Sequence, residues 1–324
     1  MSAPFTRRQF LSTSAGAGLG LAALSLGTPA AAAAVRPAGR PRLKLSLNVF
    51  SFLELLNANA KDPAQGVGLF RVCSFAAEQG CDGVDVTGYF FPGYPAAPAD
   101  DYLFRLKRHV FDLGLGFSGT GVRNDFTAAD PAVRAEGVAR VKAWIEVAAK
   151  IGAPTVRAFA DSQPPFKSWE EAARGATRET VEAWLADALR ECAEHGRKFG
   201  VIVAVQNHGD FIRSGPEHLH LLGRVNHPWC AALVDTGKYF TADPYADIAL
   251  VAPHAVNWQI KETTQSTAAS PRVDLPRLVG IIRRSGYRGY LPIETLRMGR
   301  PGYDSFQAVA ALLAELRAAL AAPE

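Results

Sequence analysis

From residue 42 onward, short runs of β-branched and other apolar residues alternate with longer stretches whose apolar positions recur at helical spacing. The short runs predict strands at Leu43–Val49, Gly83–Thr87, Gly116–Thr120, Thr155–Phe159, Val201–Gln206, Ala232–Asp235, Val256–Lys261 and Tyr290–Glu294. Between them, Arg134–Ile151 carries Val138, Val141, Ile145 and Ala148 on one helical face. Thr180–Phe199 follows a capping-box-like start at Thr177 and stops before Gly200; Leu275–Ser285 and Asp304–Leu320 behave in the same way.

Eight strands, each followed by helical sequence, predict an α/β fold of the (β/α)8 barrel type. Positions at the predicted strand ends, from Asn48 to Glu294, lie 24 to 49 residues apart, enough for one strand, one helix and two loops. A doubly wound open sheet is the alternative, but no glycine-rich phosphate fingerprint follows the first strand. No shift in composition marks a second domain. The expectation is therefore a single barrel over 42–324.

Side chains of a strand alternate between two faces. One predicted face is uniformly apolar: Leu45, Leu47, Val84, Val86, Val203, Val205, Trp258, Ile260, Leu291 and Ile293 belong to it and should pack beneath the helices. The opposite face is polar near the C-terminal strand ends, with Asn48, Asp85, Thr120, Arg157, Gln206, His208, Asp235, Gln259, Lys261 and Glu294. Barrel interiors are normally filled by Val, Ile and Leu, and an unpaired buried polar group costs roughly 2–7 kcal/mol. Polar residues converging on one rim therefore point to a site. Gln206, Asp235, Gln259 and Glu294, on the fifth to eighth strands, offer four oxygen donors suited to a hard divalent ion such as Mn²⁺ or Mg²⁺. His208, Lys261 and Glu294 are the candidates for proton transfer. Asn48, Asp85, Arg157 and Lys238 are candidates for gripping substrate oxygens.

Composition narrows the function classes. The 324 residues are 48% hydrophobic and 20% charged, with a formal charge of +4 and no basic run, so the sequence carries no electrostatic footprint for nucleic acid. Residues 1–34 contain no acidic residue and begin with Arg7-Arg8 ahead of Phe10 and Leu11. A Gly/Ala-rich, weakly apolar stretch and an alanine run follow. Together they predict a twin-arginine export signal, a linker over 35–41, and a mature protein delivered to the periplasm or the medium with no membrane anchor after cleavage. Glycines dilute the stretch too far for a membrane span. Loss of Arg7 and Arg8 takes the net charge from +4 to +2. That export route carries folded proteins, which suits a chain that takes up its metal before crossing.

Cys73, Cys81, Cys192 and Cys230 show no C-x-x-C spacing, so a zinc site is not expected, and buried free thiols are favoured over a Cys73–Cys81 bridge. His109, His195, His218, His220, His227 and His254 are expected at the surface or at caps. Phe50, Phe52 and Tyr89-Phe90-Phe91 have two readings of equal weight, a wall for a sugar ring or loop packing.

The segments Val203–Gly209, Leu233–Gly237, Trp258–Glu262 and Tyr290–Glu294, with Leu43–Phe52 and Trp144–Arg157, resemble the xylose-isomerase-like barrel superfamily of sugar isomerases and epimerases. The resemblance covers nearly the whole of 42–324. It implies a metal held by Glu, Asp, His and Glu on strands five to eight. Asp235 and Glu294 match. Gln206 stands where a glutamate is usual and Gln259 where a histidine is, which lowers the shell charge from −3 to −2. An amide cannot abstract a proton, so two-base epimerisation would need His208 or Lys261 in its place.

The resulting expectation is a divalent-metal-dependent isomerase or epimerase acting on an unphosphorylated sugar or polyol through an enediolate. A lyase or hydrolase acting on a keto-sugar or oxidised glycoside is the alternative, and a catalytically inactive carbohydrate-binding barrel is the third reading. The expected partner is a small sugar rather than nucleic acid, and a homo-oligomer stays open.

Overall fold

The apolar faces of the strands need cover from helices, and closure into a cylinder gives it to every one of them. In the computed structural model, which describes residues 42–265, 271–296 and 301–323, eight parallel strands form a closed barrel in sequence order. They are β1 (Leu43–Asn48), β2 (Gly83–Thr87), β3 (Gly116–Gly121), β4 (Thr155–Phe159), β5 (Ile202–Gln206), β6 (Cys230–Asp235), β7 (Ala255–Lys261) and β8 (Gly289–Glu294). The chain divides into Met1–Arg36, outside the described residues, and Pro37–Glu324, which includes the barrel. The export signal and the linker predicted from the sequence, residues 1–41, thus lie wholly outside the described residues.

Helices α1 (Leu53–Lys61) and α2 (Leu69–Glu78) follow β1, and α3 (Asp100–Asp112) and α4 (Pro131–Ile151) follow β2 and β3. After β4 come α5 (Trp169–Ala173) and α6 (Arg178–Phe199). The circuit then continues through α7 (Gly215–Val225), α8 (Pro244–Val251), α9 (Leu275–Arg284) and α10 (Ser305–Ala321). Local chemistry sets their ends. Thr177 caps α6 by accepting from the Thr180 amide at 3.2 Å, and Gly200, at φ +70°, stops it in a left-handed turn that disfavours a side chain. Among the described residues, no helix is long and apolar enough to cross a membrane.

Leu47, Val84, Val86, Val203, Val205, Trp258, Ile260, Leu291 and Ile293 are all fully buried between strands and helices. Each such aliphatic side chain contributes about 1.5–3 kcal/mol by leaving water. All four cysteines are free, and burial pushes the Cys73 and Cys81 thiols up to about 12.

The inside of the barrel is polar and hydrogen-bonded well below the rim. Ser46 and Ser118 share a hydrogen bond of 2.7 Å across β1 and β3. Asn257 donates to Asp85 at 2.9 Å and to Thr155 at 3.3 Å. Glycines make the space for this layer: a Cβ on Gly119 would lie 2.6 Å from both Asn257 Nδ2 and Asp85 Oδ2.

One inward position predicted from strict alternation is wrong. Val84 pairs with Phe117 but Asp85 pairs with Gly119, so β3 carries an extra residue, a bulge. The bulge shifts the face of everything beyond it. Thr120 therefore pairs with Val86 on the helix side and donates to the Val86 carbonyl at 2.6 Å, while Gly121 takes the inward place.

Candidate functional site

At the C-terminal end of the strands lies a cavity of about 250 Å³. Gln206, Gln259, Lys261 and Glu294 line one side; Arg157, Phe159 and His208 line another, and Phe50, Tyr89 and Arg123 close it from the loops. Every one of the strand residues points there because it holds the inward parity of its strand: Arg157 pairs laterally with Gly121, and Lys261 with Glu294. A Cβ on Gly121 would sit 2.8 Å from Arg157 Nε, so glycine at that position leaves room for the guanidinium.

Two features dominate the wall formed by β5 to β8. The first is an ionic cluster. The Lys261 ammonium pairs with Glu294 and lies 3.4 Å from Asp235 Oδ2, with the lysine side chain only 10% exposed and Asp235 fully buried. Burial works to lower the lysine pKa, but attraction to Asp235 and Glu294 outweighs it, and the ammonium is held above its ordinary value. The second feature is an amide relay. Gln206 Nε2 donates to Asp235 Oδ2 at 2.8 Å and to Gln259 Oε1 at 2.6 Å. Asp235 Oδ1 accepts from the Gly237 amide at 3.0 Å, while Asn207 clamps the Asp235 backbone from both sides at 2.8 and 2.9 Å.

The structure thus brings Gln206, Asp235, Gln259 and Glu294 to one centre. Whether that centre suits a divalent ion turns on its donors. Two carboxylates and one ammonium leave a net charge of −1. Asp235 and Gln259 point their oxygens at amide protons of Gln206, and Glu294 points one at the Lys261 ammonium. Gln206 Oε1 is the one donor of this set buried with no hydrogen-bond partner. Among the described residues, no group of three or more His, Cys, Asp or Glu side chains gathers where it could hold a metal. This donor set does not fit a divalent cation, because the position it would take is held by N–H groups of the protein itself.

On the opposite side, His208 Nδ1 lies 2.9 Å from Asp161 Oδ2, and Asp161 Oδ1 accepts from the Phe211 amide at 3.2 Å. Asp161 is 3% exposed and the His208 side chain 40%, so a fixed carboxylate orients a ring that substrate can reach. A carboxylate accepts, so Nδ1 donates and Nε2 keeps its lone pair for the cavity. Asp161 was not anticipated, although its parity with Arg157 and Phe159 beyond β4 was the available signal.

Arg157 is buried, and among the described residues no carboxylate lies within ion-pair distance of it. It donates to the Val122 carbonyl at 3.0 Å and to the Tyr89 hydroxyl at 2.7 Å, and its guanidinium stacks 3.8 Å from the Phe159 ring centre. Of the other proposed substrate contacts, Asn48 and Asp85 do not line the cavity. Asn48 Oδ1 accepts from the Phe50 amide and the Thr87 hydroxyl. Asp85 is held by Asn257, and its burial pushes its carboxyl up to about 6 against the opposing effects of Asn257 and Arg157. Lys238 is also outside the wall. Its amide is turned back to the Asp235 carbonyl at 3.3 Å by the turn that carries Tyr239 into the core.

The aromatic residues divide between the two expected roles: Phe50 and Tyr89 meet edge-on, 6.1 Å apart, in the cavity wall, whereas Phe52, Phe90 and Phe91 are buried packing. His218 corrects the expectation of surface histidines. It is fully buried, bonded to Tyr239 Oη at 2.9 Å and the Val205 carbonyl at 3.0 Å, and burial lowers its pKa to about 4.

Comparison with known proteins agrees with this geometry at the level of fold. A family profile described as xylose isomerase-like TIM barrel matches residues 73–318. The structure of D-psicose 3-epimerase from Clostridium cellulolyticum H10 with D-tagatose superposes with a TM-score of 0.69 at 14% identity, covering 86% of this chain and 99% of that one. The apo form of 3-keto-D-glucoside 4-epimerase from E. coli gives 0.65 at 15% identity, covering 86% and 100%. D-allulose 3-epimerase from Methylomonas sp. gives 0.64 at 15% identity, covering 88% and 99%. No curated protein sequence matches the chain. The chain belongs to the xylose isomerase-like TIM barrel family.

Proposed function

We propose that this member of the xylose isomerase-like barrel family is a sugar isomerase or epimerase that moves a proton next to the carbonyl of an unphosphorylated sugar or polyol. One observation carries the reading: the His208–Asp161 pair faces the Lys261–Glu294 pair across a single cavity with aromatic walls. The epimerases among the structural neighbours, which act on psicose, allulose or a 3-keto-glucoside by name and in one case hold tagatose, support a keto-sugar as the substrate class.

In this mechanism the C–H face of the sugar packs against Tyr89 and Phe50, and its hydroxyl oxygens are gripped by Arg157 and Arg123. Lys261 has three N–H groups; Glu294 and Asp235 take two, and the third polarises the substrate carbonyl. His208 Nε2 removes the proton on the adjacent carbon, and the imidazolium is stabilised by Asp161. The enediolate oxygen is held by Lys261. Isomerisation returns the proton from His208 to the neighbouring carbon while the hydroxyl proton of the other enediol oxygen passes to the oxygen held by Lys261, which exchanges the carbonyl and hydroxyl positions. Epimerisation needs a second group on the other face, and Glu294, three strands away, is the one available.

Incubation in D2O with a panel of ketoses and 3-keto-glycosides tests the reading. Deuterium should appear on the carbon next to the carbonyl, and His208→Asn should abolish it. Retention of sugar with no exchange would instead identify a binding protein. Because Gln206 cannot serve as a base, one-base elimination on a keto-glycoside is the second reading; release of the aglycone together with solvent exchange would identify it. We place the protein beyond the cytoplasmic membrane. Replacing Arg7 and Arg8 by Lys should retain it in the cytoplasm on fractionation.

A further inference from the structure

We propose that the Lys261 ammonium takes the place of a divalent ion, so that this barrel works with a positive charge supplied by its own chain and binds no catalytic metal. Three observations converge on it. The first is charge: Asp235 and Glu294 bring −2 and Lys261 brings +1, so the centre is already close to balance. A dication would meet an ammonium of like sign in a site where little water screens it.

The second is the use of the oxygens. Asp235 Oδ2 faces both Gln206 Nε2 at 2.8 Å and Lys261 Nζ at 3.4 Å, Gln259 Oε1 accepts from Gln206 at 2.6 Å, and Glu294 pairs with Lys261. To coordinate a metal, the protein would have to expel the ammonium and reverse the Gln206 amide. A glutamate in place of Gln206 could donate neither bond, so the amide belongs to this arrangement rather than being a lost ligand.

The third is the room made for the lysine. A Cβ on Gly237 would lie 2.8 Å from Lys261 Cγ, so glycine in the turn after β6 leaves room for the lysine stem, whose ammonium reaches both carboxylates. The ammonium then does what a Lewis acid does for an enolising sugar: it offers positive charge to the oxygen on which negative charge develops.

This inference depends on the proton-transfer reading only for the purpose of the charge, and metal binding can be measured without any substrate. The full chain, expressed with added manganese, should contain far less than one metal per protein by elemental analysis. Titration with Mn²⁺, followed by the electron paramagnetic resonance signal of the free ion, should show no uptake. Lys261→Met should lose deuterium exchange and gain one Mn²⁺ site, since Asp235 and Glu294 are then left without a cation. Should Lys261→Met fail to fold, Lys261→Gln takes its place in the same titration. Stoichiometric manganese in the wild-type chain, or a wild-type thermal midpoint that Mn²⁺ raises and EDTA lowers again, overturns the proposal. So does a folded Lys261→Met or Lys261→Gln chain that takes up no Mn²⁺. Failure of exchange with a metal-free wild-type chain counts against the proton-transfer reading alone.

Discussion

Replacing Gln206 by Glu adds one oxygen in place of one nitrogen, and its effect can be worked out from the distances. Two hydrogen bonds disappear, to Asp235 Oδ2 and to Gln259 Oε1. An acceptor left buried without its donor costs about 1–3 kcal/mol. The new carboxylate also sits within hydrogen-bond distance of the fully buried Asp235. At an effective dielectric constant of about 20, two like charges at that separation repel by about 6 kcal/mol. Taking up a proton is cheaper. Holding a glutamate protonated at pH 7 against an ordinary pKa of about 4.3 costs about 4 kcal/mol. The protonated group can donate one of the two lost bonds, so the net loss is about 5–7 kcal/mol at pH 7.

The sign with pH follows. The pKa of the variant carboxyl is raised in the folded state, so its penalty is absent below the unfolded value and grows as pH rises from there toward the folded one. Between pH 5 and pH 7 the stability gap between wild type and Gln206→Glu should widen by about 3 kcal/mol. Urea unfolding at the two pH values, followed by circular dichroism, measures this. A variant within about 1 kcal/mol of wild type at both pH values would refute the packing of the centre described here. Mn²⁺ should restore part of the loss, because it can displace the proton and pair with the third carboxylate that is then exposed to it.

Other perturbations probe separate parts of the barrel. Asp85, raised to about 6, weakens stability as pH rises from its ordinary 3.8, whereas His218, lowered to about 4, strengthens it as pH rises toward 6.5. The two nearly cancel, so Asp85→Asn, which still accepts from Asn257, should uncover a gain of about 3 kcal/mol between pH 4 and 6.5 in chemical denaturation. Gly121→Ala should cost about 1–3 kcal/mol by overpacking and weaken sugar binding through displacement of Arg157, read by thermal melting and calorimetry. Asp161→Asn should lower the rate of proton exchange by about 100-fold or more with little change in KM, since it leaves the ring in place but no longer fixes its protonation.

Much of this was legible in the chain because strand periodicity is local. Gly83–Thr87 and Thr155–Phe159 begin and end where the apolar runs place them, and the inward parity of Arg157, Gln206, Asp235, Gln259, Lys261 and Glu294 follows from it. What escaped the sequence depends on neighbours. Thr120 turned outward because β3 gains a residue against β2, a register that no single strand records. His218 is buried because the α7 face that carries it packs on Val205 and Tyr239, partners 13 and 21 residues away. Residue type and strand position suffice to single out the four oxygen-bearing side chains Gln206, Asp235, Gln259 and Glu294. Whether Gln206 presents its oxygen or its N–H group depends on which atoms surround it, and the pairing of Lys261 with Glu294 depends on the register between β7 and β8.

A crystal of the full chain grown with millimolar MnCl2 and measured at the manganese absorption edge tests the central claim most directly. Lys261 Nζ should lie between Asp235 and Glu294 with no anomalous peak between the two carboxylates. An anomalous peak about 2.1–2.2 Å from oxygens of Asp235 and Glu294, with the lysine swung away, would contradict it.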